Sequence, residues 1–481
     1  MRSLSVLLLL VLLALPRIAS AAARPADEVP ADARWALVAT TAGAGAAFAA
    51  SLDAAADSRG LLGGFAAGLR NSVGWNPADA AALEAAGVAL DRPLSIASLG
   101  DVELGAVHLR DAAAAERHLA TWLAGAGETT SAATHRGWQI RTARREGRLV
   151  AAAAVRAGRA VTVRGVAPGA DPLQAVHRAI DAAHGERSLA GEALFQQVPA
   201  DAGTPLRLWR RHGGDALVLR LRLEEGARLR LDGRARVPGA AGVLGSRAAF
   251  PTATPGADLL LVRLDLSPNH RSVQGGIRWL LEQACPACPA RFRAEEAQAA
   301  VRLLAGPAAL AVSRLDLRAV EGDRPGPAAT PFAWVAQVRD AAAAGAWLDR
   351  VGARLGGTAT NADDRVVETA IGRLHFGLRG ARLYVASDPA LRDRLLAATS
   401  GTVQGPGEPL QATLSPARVG ESLAALTMSD VLRGGLLGGL FALRLQLGPM
   451  LRSSGPLHLR ARPAGRDSFH LDSTWDLRAA P

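Results

Sequence analysis

The stretch VHLRDAAAAERHL at Val107–Leu119 returns later in the chain as QVRDAAAAGAWL at Gln337–Leu348. Each copy reads as a strand running into a helix. Asp111 and Asp340 stand where an N-cap belongs, because a carboxylate there accepts the unpaired N–H groups of the first helical turn. The match extends outward in both directions. Downstream, Gly158–Val163 (GRAVTV) corresponds to Gly380–Val385 (GARLYV). Asp171-Pro172-Leu173 then corresponds to Asp388-Pro389-Ala390-Leu391, and proline suits a first helical position, whose N–H has no partner to lose. At the outer ends, Pro30–Ala39 resembles Pro255–Leu264 as an entry strand, and Gly226–Val237 resembles Gly465–Leu477 as an exit strand. Five matches in one order, with loop insertions between them, predict a tandem duplication. The expected division is a leader at 1–21, a first unit at 22–238, a Gly/Pro-rich linker at 239–254 and a second unit at 255–481.

Periodicity gives the content of each unit. An entry strand leads to a helical stretch, then to strands such as Leu94–Ser98 and Val102–Leu109. The Asp-capped helix follows, then a strand pair around Arg148–Val163, the Asp-Pro helix, and alternating strands such as Leu217–Leu223. Short polar turns at Arg156-Ala157-Gly158-Arg159 and Leu378-Arg379-Gly380 require antiparallel neighbours. The expected fold class is α+β: two tandem similar units, each a curved antiparallel sheet with helices packed on one face.

Asn76–Leu99 reads NPADAAALEAAGVALDRPLSIASL: Asn-Pro, a short helix, a Gly-centred turn, then Asp-Arg-Pro into a strand. With the entry strand, the repeated strand–helix pieces and the leader, it resembles an uncharacterised, DUF3352-like family of exported bacterial proteins that carry a large domain of unknown function, often in two units. The resemblance covers most of the chain and implies fold and address, without an activity. The second half departs from it, having Pro286–Arg302 where a copy of NPADAAALEAAGV would stand.

The N-terminus reads as a secretory leader. Arg2 is followed by an apolar run from Leu4 to Leu15, then Pro16, and Ala19-Ser20-Ala21 has the small-x-small pattern of a cleavage site. The run is shorter than the roughly 20 residues of a spanning helix. The mature chain is therefore expected in the periplasm or outside the cell, with no membrane span. The net charge of +11 falls to +9 once Arg2 and Arg17 leave. All 55 basic residues are arginine, spread along the chain among acids, so the charge reads as a solvated surface and nucleic acid is not an expected partner. Aromatics make up only 4%, so core volume has to come from Ala, Leu and Val.

Reactive constellations are scarce. Cys285-Pro-Ala-Cys288 has thiol–disulfide spacing, but a helix is expected before it and prolines after it. A structural disulfide is expected there instead, as an oxidising compartment permits. The ten histidines form no HxH, HExxH or HxxxH pattern, so no metal or cofactor is expected. Without lysine there is no Ser–Lys pair and no phosphate loop, and no G-x-S-x-G elbow occurs. Glu224-Glu225, Asp363-Asp364 and Glu295-Glu296 read as solvated pairs, with a glycosidase role as the alternative. Two features remain as binding candidates. Arg110-Asp111 and Arg339-Asp340, at the two strand-to-helix junctions, could hold an anion. Gly60–Leu69, with Leu61, Leu62 and Phe65, and Gly435–Leu443, with Leu436, Leu437, Leu440 and Phe441, could line an apolar groove or touch a membrane surface. The expected function is a non-enzymatic envelope scaffold binding an apolar or anionic component, lipid or envelope polymer, or a partner protein. The alternative is an exported hydrolase with a site assembled from residues distant in sequence.

Overall fold

The computed structural model describes residues 26–55, 71–238, 241–245, 258–284, 288–315, 317, 330–399, 408–427 and 448–478, apart from 157, 186, 202, 226, 362–363, 370–371 and 466. The stretch expected to be a leader and both glycine-leucine stretches lie outside these residues, as does Cys285. The chain divides into two compact units, 1–237 and 238–481.

Unit 1 contains β1 (Trp35–Ala39), β2 (Leu94–Ser98), β3 (Val102–His108), β4 (Glu128–His135), β5 (Trp138–Arg145), β6 (Arg148–Arg156), β7 (Arg159–Gly165), β8 (Leu206–His212), β9 (Asp215–Glu224) and β10 (Arg228–Arg236). Within the unit they pair in the order β10-β9-β8-β1-β2-β3-β7-β6-β5-β4, every pair antiparallel. Its helices are α1 (Ala42–Ala55), α2 (Ala80–Ala85), α3 (Ala112–Ala126), α4 (Pro172–Ala183) and the single turn α5 (Ala193–Gln196).

Unit 2 contains β11 (Leu260–Asp265), β12 (Leu304–Val312), β13 (Phe332–Val338), β14 (Thr358–Asn361), β15 (Asp364–Thr369), β16 (Gly372–Arg379), β17 (Arg382–Ala386), β18 (Leu410–Leu414), β19 (Leu457–Gly465) and β20 (Ser468–Asp476). Their order is β20-β19-β18-β11-β12-β13-β17-β16-β15-β14, again all antiparallel. Counted from the first strand of each unit, the two orders are the same. The helices are α6 (Arg271–Ala284), α7 (Ala290–Leu303), α8 (Ala341–Arg354), α9 (Pro389–Ala398) and α10 (Pro416–Ala424).

The caps behave as their residue types dictate. Asp111 Oδ1 accepts from the Ala114 N–H at 3.0 Å, and Asp340 Oδ1 accepts from Ala343 N–H at 3.0 Å. Asp171 does the same for α4, and Asp388 accepts from both Ala390 and Leu391 to open α9.

The expectation of helices on one face is corrected. In unit 1, Ala175, Val176, Ala179 and Ile180 of α4 pack with Ala152, Ala154, Val161 and Val163. Leu119 and Leu123 of α3 face Ala153 and Val155, which alternate to the other side of the sheet. Unit 2 repeats this: Leu391, Leu395 and Leu396 of α9 meet Ala333, Val335, Tyr384 and Ala386, whereas α8 meets Ala336, Val338, Phe376 and Leu383. The physical cause is visible in β6, where Ala151, Ala152, Ala153 and Ala154 are all buried. A strand covered on both faces reads as a continuous apolar run, and alternation survives only where one face is polar.

Part of the stretch expected as a linker, residues 241–245, is described. Leu244 bridges Leu266, and the Ser267 N–H donates to the Val243 carbonyl at 2.7 Å, so residues 243–244 belong to unit 2. On either side of the CPAC motif, α6 ends at Ala284 as expected, but α7 starts at Ala290, so buried Cys288 lies two residues ahead of a helix start.

Candidate functional site

A buried polar group lies under α9 in unit 2. Asp364 opens β15, His375 lies on β16, Tyr384 on β17 and Arg392 on α9. Asp364 Oδ1 accepts from the Tyr384 hydroxyl at 3.1 Å, and Oδ2 accepts from Arg392 Nη1 at 2.8 Å, with His375 Nδ1 3.4 Å from the same oxygen. Arg392 also grips Asp393 through Nε at 3.0 Å and Nη2 at 3.2 Å. Tyr384, the sole tyrosine of the chain, is fully buried, and Asp364 and Arg392 are each 7% exposed. Burial, then the Asp364 charge beside it, push the Tyr384 phenol far above its ordinary value. Asp393 is held below the usual carboxylate range by the Arg392 hydrogen bond. Chemically this is an anion enclosed by donors, with a tyrosine kept as a neutral donor.

The ladders locate the matching positions in unit 1. Tyr384 pairs with Val335, as Val161 pairs with Ala106. Continuing outward through β16 and β15, His375 matches Ala152 and Asp364 matches Ile140. Counting from the caps Asp171 and Asp388, Arg392 matches Ala175. All four unit 1 residues belong to one apolar core cluster. The quartet is thus polar in one unit and hydrocarbon in the other.

Unit 1 has its own titrating group at the start of β7. Buried Glu28 pairs with Arg159 Nη1 at 2.9 Å, and Arg159 stands opposite His108 in the β3–β7 ladder. Burial pushes the Glu28 carboxyl up, against the pull of Arg159. Burial, then Arg159 and Arg92, press His108 down to about 4, with Asp91 opposing. Unit 2 places Gln337 and Arg382 at the corresponding pair. Elsewhere in unit 1, the buried Arg207 guanidinium lies 3.9 Å from the Phe195 ring centroid and donates to the Val198 carbonyl at 3.3 Å, tying α5 to β8. Burial lowers it to about 10.

The sites expected from sequence fall as follows. At the junctions, the Asp111 and Asp340 carboxylates occupy helix N–H groups that an anion would need, and Arg110 pairs with Glu84 at 3.0 Å. The N–H groups of Arg110 and Asp111 both donate to the Gly87 carbonyl, at 2.8 and 3.1 Å. Gly87 has φ +79°, and a Cβ there would lie 2.2 Å from the Asp111 carbonyl oxygen, so the turn of NPADAAALEAAGV requires glycine. In unit 2 the Leu303 carbonyl at the end of α7 takes the Arg339 N–H, at 2.8 Å. Leu61, Leu62, Phe65, Leu436, Leu437, Leu440 and Phe441 lie outside the described residues, as does Cys285. Among the described residues no His, Cys, Asp and Glu group is arranged to hold a metal ion, and no helix is long and apolar enough to cross a membrane. A shallow cleft between α3 and the sheet is lined by Glu116, Leu119, Leu123, Gln139, Arg141, Ala153 and Val155.

The quartet was missed because Asp364 sits in an acidic pair that reads as solvated loop, and nothing local sets Arg392 against it. Its one sequence signal is the lone tyrosine. No protein-family model matches the chain, and no curated protein matches it. Among solved structures it is similar to crystal form IV of TP0453, at 10% identity over 44% of this chain and 80% of that one, with a TM-score of 0.28.

Proposed function

We propose that this chain is an exported bacterial envelope protein, a non-enzymatic binding scaffold made by tandem duplication of one α+β unit. The observation that carries the scaffold reading is the closure of the Asp364 quartet. Its carboxylate is surrounded by Tyr384, Arg392 and His375, so these groups brace α9 on the sheet and do not present a reactive atom. The common strand order, with the sequence matches on corresponding strands and caps, supports the duplication. Membership of the DUF3352-like family rests on the NPADAAALEAAGV turn and this layout. The leader supports delivery to the periplasm or beyond, where a Cys285–Cys288 disulfide would pin the α6–α7 turn. The ligand in this reading is an apolar or anionic envelope component, met by the glycine-leucine stretches. The test is native mass spectrometry of the mature protein purified from its own envelope fraction. A discrete added mass removed by organic extraction supports the reading, and a bare mass under gentle conditions sinks a tightly held lipid.

One arrangement favours the hydrolase alternative: Glu28 and His108, distant in sequence, both stand beside Arg159, and burial displaces the proton affinity of each. An ester and glycoside hydrolysis screen comparing the wild type with Glu28→Gln decides it. Turnover abolished by that change, with the fold retained, supports an enzyme; absence of turnover in the wild type removes this reading.

A further inference from the structure

Three of the ten histidines meet at one corner of unit 1. His135 ends β4, His177 stands on α4, and His184 is the C-cap of α4. The His135 and His177 rings stack with centroids 4.4 Å apart and planes 26° from parallel. His135 Nε2 lies 2.8 Å from Asp181 Oδ1, and Arg136 Nε lies 2.7 Å from the same oxygen. Arg156, the last residue of β6, donates through Nη1 to the Arg136 carbonyl at 2.6 Å and lies 3.3 Å from His184 Nε2. The charges facing these rings are Arg136 from the β4–β5 turn, Arg156 from β6, and Asp181 and the N-cap Asp171 from α4.

Donor chemistry assigns a proton state here. A guanidinium only donates, so His184 Nε2 accepts and its ring is neutral with the proton on Nδ1. A proton arriving at Nε2 turns that acceptor into a donor and sets two cations 3.3 Å apart. The negative end of the α4 dipole favours a cation, so the charged ring stays with the helix and Arg156 is the group displaced. The stack acts in the same direction. His177 is held below the ordinary imidazole range, by burial first and the neighbouring His135 second. With both rings charged, like charges face each other across the stack, and Asp181 is already shared with Arg136.

We propose that this corner is a proton-released clasp. On acidification from neutrality to roughly pH 5, across the range where imidazole gains its charge, Arg156 and the β4–β5 turn separate from the C-terminal end of α4 while the rest of unit 1 stays folded. The matching helix of unit 2 supplies an internal control. Arg394 stands at the position of His177 and is bonded to Asp258, so no imidazole titrates there.

The test is hydrogen exchange of the full chain at pH 7.5 and pH 5.0, corrected for the intrinsic pH dependence of exchange. The expected result is a loss of protection on the order of tenfold at residues 134–140 and 153–156, with residues 389–398 unchanged. His184→Gln keeps an acceptor for Arg156 at every pH, and His177→Phe keeps the stack without a charge. Each is expected to remove most of the response. Protection at the corner that does not change with pH in the wild type overturns the proposal. So does a wild-type response that persists undiminished in both variants. The two substitutions alter different contacts, so one that fails to fold leaves the other to decide.

Discussion

The two units share a strand order and differ in what they bury beneath the helix that opens with Asp-Pro. Unit 1 places Ile140, Ala152, Val161 and Ala175 there; unit 2 places Asp364, His375, Tyr384 and Arg392 at the matching positions. The opposite face shows a milder exchange. Unit 1 has Leu123 on its helix over Ala153, and unit 2 has Gly352 over Phe376, whose ring would lie 3.5 Å from a Cβ on that glycine. One backbone plan therefore accepts either chemistry, provided that volume is conserved and polar groups arrive as a complete set. A buried ion pair adds little over hydrocarbon of the same volume, yet it cannot lose one member cheaply.

That asymmetry predicts the largest effect. Asp364→Ala leaves Arg392 buried beside Asp393 alone, and unit 2 is expected to lose about 3–5 kcal/mol while unit 1 keeps its stability. Calorimetry resolving two transitions checks this, and a loss spread equally over both would break the comparison. Next come opposite responses to pH. Tyr384 is raised, so the folded state keeps a proton that the unfolded chain releases. Its stabilisation is complete below about pH 10 and is lost as pH rises beyond it. His108 is lowered to about 4, so the unfolded chain binds the extra proton; its stabilisation is complete above about pH 6.5 and falls as pH drops towards 4. Unit 2 is thus expected to melt first in alkali, with tyrosinate absorbance appearing only as it unfolds. The His108 contribution should weaken unit 1 in mild acid, and His108→Gln, the residue of unit 2, should flatten that response. A smaller change is expected when the whole quartet is exchanged. Asp364→Ile, His375→Ala, Tyr384→Val and Arg392→Ala together should leave unit 2 within about 2 kcal/mol of wild type in denaturant titrations, far less costly than Asp364→Ala alone. The smallest effects belong to the caps: Asp111→Ala and Asp340→Ala should each cost about 1 kcal/mol, and by similar amounts, since both hold one N–H at 3.0 Å.

Local signals were legible in the sequence. The four Asp caps, the entry and exit strands and the antiparallel turns each depend on a few neighbouring residues. Register was harder. Matching Gly158 with Gly380 pairs Thr162 with Tyr384, whereas the ladders match Val161 with Tyr384. The two residues between Arg156 and Arg159 have glycine second, and those between Arg379 and Arg382 have it first. A two-residue turn takes glycine at either place, so the residue that marks the turn misplaces the strand by one, and one step reverses every side chain. The two-faced burial of the sheet hid in alanine, whose runs suit strand or helix equally. Asp364 and Arg392 are brought together by strand order alone, which no local pattern encodes.

That order has a consequence for the timing of folding. The first strand of each unit lies inside the sheet, between the second and the eighth: Trp35 pairs with both Ser98 and Arg210. A chain emerging from its N-terminus therefore makes β1 early but cannot cover its second edge until β8 follows more than 160 residues later. Closing so long a loop adds entropy before any contact rewards it, and folding dominated by distant contacts is slow. Each unit thus has a long interval in which a completed strand edge is open to other chains. Truncations that stop before His212 should leave that edge permanently bare and aggregate, whereas a chain ending after β10 can close it.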